Sequence, residues 1–444
     1  MSGATSRFLT YELGKGNIHN LNKTFSSALL IHFIIAIIVV LLAETVGLWF
    51  LYNKLVISEE RIYAAQVVYQ LSIISAVLNF TQVPYNSCII AHEKMDVYAY
   101  VEMLNVLLKL LIVYLLGIGG IDKLILYSVL VLSVSAFIML VYRIYCVRHF
   151  EECRFKFTWD KEILKPLLSF SGWNMYTSAC YAGRQQGFNF ILNMFGGAVL
   201  NSAASLAATV DGIITGFAYN VVMAFRPPLI KMYAVGDKCK MENLLDFAVL
   251  ISFFLYFVAV IPLIVEADFI LSLWLGNVPA HTVQFLRIVL IASSFSLLNS
   301  LLVIVVQAVG EIKVNSIITG TISFFVLLPL YFLLKKGYNV DIAYGVMIIS
   351  NFLISVANIC CIRKLLPQMN VVSISLKALI LLLLECAISY FLVENLNELT
   401  NVQKICSVFF FNLLFVILFL FGVSTKEQKM LVYTYVRGKI RPIK

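Results

Sequence analysis

Apolar runs long enough to cross a bilayer recur along nearly the whole chain, separated by short polar stretches. A hydrocarbon core of about 30 Å needs about 20 apolar residues per helix at about 1.5 Å each. Thr24–Leu51 meets that length, and Ile374–Val393 does so with Lys377 snorkelling from its inner end. Runs such as Leu379–Leu384 are apolar at every position, which excludes the alternating pattern of a membrane β-barrel. Helices are then the spanning element. The pattern predicts an all-α, polytopic membrane helix bundle. Its spans fall near 24–51, 63–91, 97–117, 122–146, 166–195, 198–225, 243–265, 283–307, 314–334, 342–362, 374–393 and 402–422, twelve complete spans after a polar N-terminal remnant. Pro84 is expected to kink the second of these, and Pro227-Pro228 to end the sixth.

The loops carry an internal repeat. Arg7, Gly16 and Asn17 before the first full span resemble Arg226, Gly236 and Asp237 before a later one. Leu48-Trp49 matches Leu273-Trp274, and Glu93 and Lys94 match Glu311 and Lys313. The offset stays at about 220 residues, the mark of two homologous halves, and an even number of spans per half makes them parallel, pseudo-symmetric lobes. The boundaries that follow are an N-terminal lobe over 1–146, a basic linker over 147–165, a C-terminal lobe over 166–362, two additional helices over 363–422 and a basic tail over 423–444. Two spans precede Arg226 and only six residues precede Arg7. By this symmetry the first lobe lacks one span and most of a second, and the functional protein is expected to extend upstream by about 40–60 residues.

Charge sets the orientation. Of 33 Lys and Arg, six fall in one set of alternate loops and three (Lys109, Arg184 and Arg287) in or bordering spans; the other 24 gather on the opposite side. That richer side is expected to be cytoplasmic, with both termini there, in a bacterial inner membrane. A net charge of +9 is therefore a topology signal, and no nucleic-acid partner is implied. The nine cysteines lie mostly in spans or basic loops without paired spacing, so no disulfide framework is expected. Met1–Lys23 has no signal-peptide pattern, and GxxxxGK[ST] does not occur. The five histidines are widely scattered, and neither a metal nor a cofactor is expected. Short outer loops disfavour a membrane-embedded glycan polymerase or ligase, and the chain reads as a non-enzyme.

Ionisable groups inside spans carry the functional signal, because a charge near mid-bilayer costs at least about 2.5–3.5 kcal/mol. Lys109 follows Glu102 and Asn105 on one helical stripe, Arg184 has Gln185, Gln186 and Asn189 as neighbours, and Asp211 lies mid-span downstream of Asn201, Ser205 and Thr209. One reading makes these interhelical contacts, for instance an Arg184–Asp211 pair. The other makes Arg184 and Lys109 the wall that receives an anionic head group, with Asp211, Glu102, Asn105, Gln185 and Asn201 in the cavity or in ion coupling. Glu44 and Glu385 lie nearer span ends, where structural or snorkelling roles are expected.

Several short stretches resemble the polysaccharide-biosynthesis flippases, the Wzx-type members of the MOP superfamily that also holds MATE exporters. They are Gly3 to Phe8 with Leu13 to Asn17, Val83-Pro84-Tyr85-Asn86, Ala91-His92-Glu93-Lys94, Ser169 to Asn174, and Pro228 with Lys231 to Asp237. The resemblance implies a two-lobed bundle that alternates access and moves undecaprenyl-diphosphate-linked oligosaccharide (an O-antigen or similar repeat unit) to the periplasmic leaflet. It also implies membrane lipids and a pathway polymerase and glycosyltransferases as partners. Many relatives carry an Arg where this chain reads Asn201-Ser202-Ala203-Ala204-Ser205. The missing cation puts more weight on Arg184 and Lys109. A MATE-like, cation-coupled exporter of small molecules is the competing reading, and it predicts an acidic cavity instead.

Overall fold

The computed structural model describes residues 2–53, 58–117, 122–156, 160–340 and 342–395, with 403, 407, 408, 410 and 411. The elements are helical: α1 Ser2–Lys15, α2 Ile18–Leu42, α3 Leu48–Asn53, α4 Glu59–Ala91, α5 Met95–Leu115, α6 Lys123–His149, α7 Lys161–Val235, α8 Lys238–Val265, α9 Ala267–Leu275, α10 Thr282–Val309, α11 Lys313–Phe325, α12 Leu327–Lys335, α13 Ile342–Leu365 and α14 Val371–Asn395. A π segment, Ala43–Gly47, joins α2 to α3, and a 3-10 turn, Glu151–Cys153, follows α6. Ten helical stretches among the described residues are long and apolar enough to cross a membrane, which makes this a multi-pass membrane protein. The expected span at 402–422 lies almost wholly outside the described residues. The expected span at 166–195 is helical as part of α7 but is not among the ten, because Arg184, the amides Asn174, Gln185, Gln186, Asn189 and Asn193, and several serines and tyrosines dilute its hydropathy.

The chain forms two compact units, 1–175 with 230–236, and 176–229 with 237–444. The linker and the start of α7 belong to the first, and α14 packs on α8 within the second. The first unit is built on Leu9, Phe25, Tyr85, Ile89, Ile138 and Tyr142. In the second, Phe253, Tyr256 and Phe257 of α8 and Phe285, Leu301 and Leu302 of α10 are almost fully enclosed.

Both halves of the repeat use one hinge. Gly16 after α1 and Gly236 after α7 take positive φ, 70° and 84°, the left-handed helix stop that glycine adopts without strain. Asn17 and Asp237 then cap the next helices, accepting from the amides of Asn20 and Lys240. Lys240 also donates to the Asp237 side chain, and these bonds hold that exposed carboxyl below its ordinary range.

α4 contains Pro84 and continues past it, and α7 does not stop at Pro227-Pro228, as expected, but runs to Val235. Packing outweighs the lost amide donors there: Gly14 lets α1 approach Lys231 and Ala234 so closely that an added Cβ would stand 2.8 Å from the Ala234 Cβ, and Lys231 pairs with Glu93 at 2.6 Å. α7 bends instead at Gly197, whose φ of 65° and ψ of −164° lie outside the helical region. The membrane-length stretch 313–335 breaks at Val326, three residues before Pro329, which has no amide to give the carbonyl of Phe325.

Candidate functional site

The interior of the second unit is polar along one chain of amides. Arg184, on the first limb of α7, donates from Nη1 to Asn351 Oδ1 on α13 at 3.0 Å, and the Tyr181 ring lies 4.9 Å from its guanidinium carbon. Asn351 Nδ2 donates to the Ala292 carbonyl and the Ser296 hydroxyl, each at 3.1 Å. Its backbone carbonyl accepts from Asn299 Nδ2 at 3.0 Å, and Asn299 Oδ1 accepts from Asn358 Nδ2 at 3.0 Å. A side-chain amide both donates and accepts, so three asparagines can relay bonds across α10 and α13 without any net charge. Arg184 is a donor only, and its Nε finds no acceptor among the described residues.

The Arg184–Asp211 pair allowed by the sequence is absent among the described residues: the guanidinium bonds a neutral amide, and Asp211 Oδ1 is enclosed without a hydrogen-bond partner. Ser293 interacts with the Asp211 carboxylate, and Tyr219 lies within electrostatic reach of both Asp211 and Arg184. The two groups share a neighbourhood without touching.

The amides near Arg184 in sequence are elsewhere in space. At about 100° per residue, Gln186, Asn189 and Asn193 form a stripe on the side of the helix away from Arg184. With Gly187, Phe190 and Asn201 they border an open groove of about 530 Å³ whose lining holds no charged residue. Gln185 is exposed. The sequence neighbours therefore separate into a half-buried cation bonded to α13 and an uncharged amide groove.

In the first unit, Glu102 accepts from the Tyr142 hydroxyl on α6 at 3.1 Å and from Asn105 Nδ2 at 3.4 Å. Lys109 stands on the same stripe, two turns on, but is exposed and makes no hydrogen bond or ion pair among the described residues. Glu44 accepts from Gln70 at 3.3 Å, a structural contact as expected.

Sequence reading missed three things. Glu385 is not a snorkelling residue: it is 1% exposed within α14, its carboxyl lacks hydrogen-bond geometry to any described group, and Ser294 and Tyr256 are its polar neighbours. Asn299, Asn351 and Asn358 were visible as asparagines inside apolar runs, and an amide in that setting needs partners. Finally, the histidines and cysteines scattered along the sequence do converge, as Cys88, His92 and Glu152 in the first unit.

No protein-family model and no curated protein matches the chain. Solved structures do. A MATE protein crystallised in its straight conformation superposes with a TM-score of 0.70 over 82% of this chain and 84% of that one, at 15% identity. The chain has the MATE fold. An outward-facing multidrug-resistance MATE transporter of the MOP superfamily superposes at 0.66, with 15% identity over 82% of each chain. A MOP superfamily transporter from Pyrococcus furiosus, described as having a binding pocket of reversed polarity that suggests a different function, also superposes at 0.66, with 14% identity over 82% of each. The MATE fold accounts for the expected all-α bundle and its division into two units.

Proposed function

We propose that this chain is a transporter that moves a lipid-linked, undecaprenyl-diphosphate oligosaccharide from the cytoplasmic to the periplasmic leaflet by alternating access, for surface polysaccharide synthesis in a bacterial inner membrane. The observation that carries the reading is an arginine inside the second unit that is bonded to a neutral amide and, among the described residues, to no carboxylate. A cation of that kind keeps its charge available for a diphosphate, to which a guanidinium offers paired donors. The uncharged groove of Gln186, Asn189, Asn193 and Asn201 supports it, because amides match the mixed donors and acceptors of sugar hydroxyls. Lys109, exposed and without a partner among the described residues, is the second cation we assign to the pathway; Glu102 and Asn105 hold the stripe beside it. The pathway's polymerase and glycosyltransferases would act on either side of this step.

The MATE-like exporter is the second reading, and one observation favours it. Asp211 and Glu385 are carboxyls enclosed in the second unit without ion-pair partners among the described residues, which suits coupling to a cation. Reconstituted vesicles separate the two. Purified full chain should expose a fluorescent polyprenyl-diphosphate oligosaccharide to a membrane-impermeant quencher faster than empty vesicles do. Gradient-driven uptake of a lipophilic cation, with no movement of the lipid-linked sugar, contradicts the proposal.

A further inference from the structure

One end of the first unit holds a group of side chains that transport does not use. Cys88 and His92 lie four residues apart at the end of α4, so helical geometry stacks them on one face. Glu152 and Cys153 are consecutive in the 3-10 turn after α6. The donor atoms of Cys88, His92 and Glu152 all lie within 4.8 Å of one another. The Cys88 thiol donates to Glu152 Oε1 at 3.4 Å, the Cys153 Sγ lies 3.4 Å from the Cys88 Sγ, and His92 Nε2 shares a short hydrogen bond with Glu152. Both cysteines are 1% exposed and Glu152 is 5% exposed, while His92 reaches the surface.

The turn is held from behind. Asn22 on α2 donates through Nδ2 to the carbonyls of Glu152 and Arg154, at 2.9 and 3.0 Å, and the Phe150 ring stacks on His92 at 4.0 Å. These contacts fix the ligand-bearing backbone and the imidazole without using the converging donor atoms of Cys88, His92 and Glu152.

We propose that Cys88, His92 and Glu152, whose donor atoms already converge, take Cys153 as a fourth ligand once its side chain turns in from beside Cys88, and so form a closed, tetrahedral site for a zinc-like divalent cation, which clips the end of α4 to the turn after α6. Two sulfurs, one imidazole nitrogen and one carboxylate oxygen are a donor set that suits zinc, and its bond lengths of about 2.0–2.3 Å place the ligands of a tetrahedron roughly 3.3–3.8 Å apart. The two 3.4 Å separations already match. On binding, each thiol gives up its proton to solvent, the proton of the His92–Glu152 hydrogen bond passes through solvent to Nδ1 so that Nε2 and the carboxylate can each bond the metal, and the site carries one net negative charge. The neighbouring Arg143, Arg148, Arg154 and Lys156 put this end on the cytoplasmic side in the orientation proposed above, where thiols stay reduced and a metal is the expected link between close cysteines. Four ligands leave no open position, so the role is structural.

Cobalt titration of the purified, metal-stripped full chain in detergent tests this without any transport readout. The expected result is one cobalt per chain, with a thiolate-to-cobalt charge-transfer band and the intense visible bands of tetrahedral cobalt, both displaced by zinc. Cys153→Ser and His92→Ala should each weaken binding by more than about ten-fold, a loss that even outer-shell changes can cause. Cys239→Ser, exposed on α8, should leave it unchanged. Size-exclusion profiles show which variants fold; if Cys153→Ser aggregates, Glu152→Gln takes its place. Sub-stoichiometric or octahedral cobalt in the wild-type chain overturns the site, as does binding that survives both ligand substitutions. So does a Cys88–Cys153 disulfide in protein alkylated at lysis.

Discussion

The two units each enclose a polar group of side chains, at different depths and with different chemistry. In the first, Cys88, His92, Glu152 and Cys153 gather where α4 ends and a turn begins, with His92 within reach of solvent. In the second, Asn351, Asn299 and Asn358 bond one another across the membrane-length helices α10 and α13, and Arg184 on the first limb of α7 bonds Asn351. A polar group at a helix end can be completed from outside, by water or an ion. One inside the bilayer must be completed by its neighbours, because hydrocarbon supplies no partner. That difference explains why the second set uses amides, which satisfy each other, and why its charged members, Arg184 and Asp211, stand out as incompletely satisfied.

The comparison breaks if the interior of the second unit tolerates what the first does not. Asn351→Leu should have the largest effect on stability, about 2–3 kcal/mol, because it strands the Arg184 guanidinium as well as removing its own bonds; thermal unfolding in detergent measures it. Gly47→Ala follows at about 1–3 kcal/mol. An added Cβ would collide with the Tyr69 hydroxyl, which bonds the carbonyl of Ala43 at the π segment, and Tyr69→Phe should restore most of the loss. Glu385→Leu should stabilise the fold by about 1 kcal/mol, since an enclosed carboxyl without hydrogen bonds is replaced by an apolar side chain. A transport defect in that variant would sharpen the exporter reading. Smallest is Lys109→Ala, within about 0.5 kcal/mol in stability for an exposed side chain, with a partial loss of glycan display if it lines the pathway.

Hydropathy and charge made the number and boundaries of most spans legible, and the Gly16/Gly236 hinge shows why the repeat was legible too: a left-handed stop needs glycine, and a helix start needs a capping side chain. What a linear pattern conveys is depth along a span. It says little about which face turns inward, because nearly every face of such a helix is apolar. Arg184 and Lys109 read alike in sequence, yet one is bonded to α13 and the other is exposed. Glu385 stands near the middle of α14 and was expected nearer its end; it is enclosed because α14 packs on α8. Pro227 and Pro228 read as a stop because the packing of Gly14 against Lys231 and Ala234 lies more than 200 residues away in the chain. The metal-ligand group escaped for the same reason: its halves, Cys88 with His92 and Glu152 with Cys153, are separated by about 60 residues that only the fold brings together.

The central claim is that Arg184 serves an anionic substrate and not the bundle. Glycan display and membrane abundance, measured together in Arg184→Ala, Arg184→Lys and the double variant Arg184→Ala with Asp211→Ala, test it most directly. The account predicts that Arg184→Ala abolishes display at near wild-type abundance, that Arg184→Lys keeps part of it because the charge survives without the paired donors, and that the double variant stays inactive. Loss of abundance in Arg184→Ala, with display and abundance both restored by removing Asp211 as well, would contradict it.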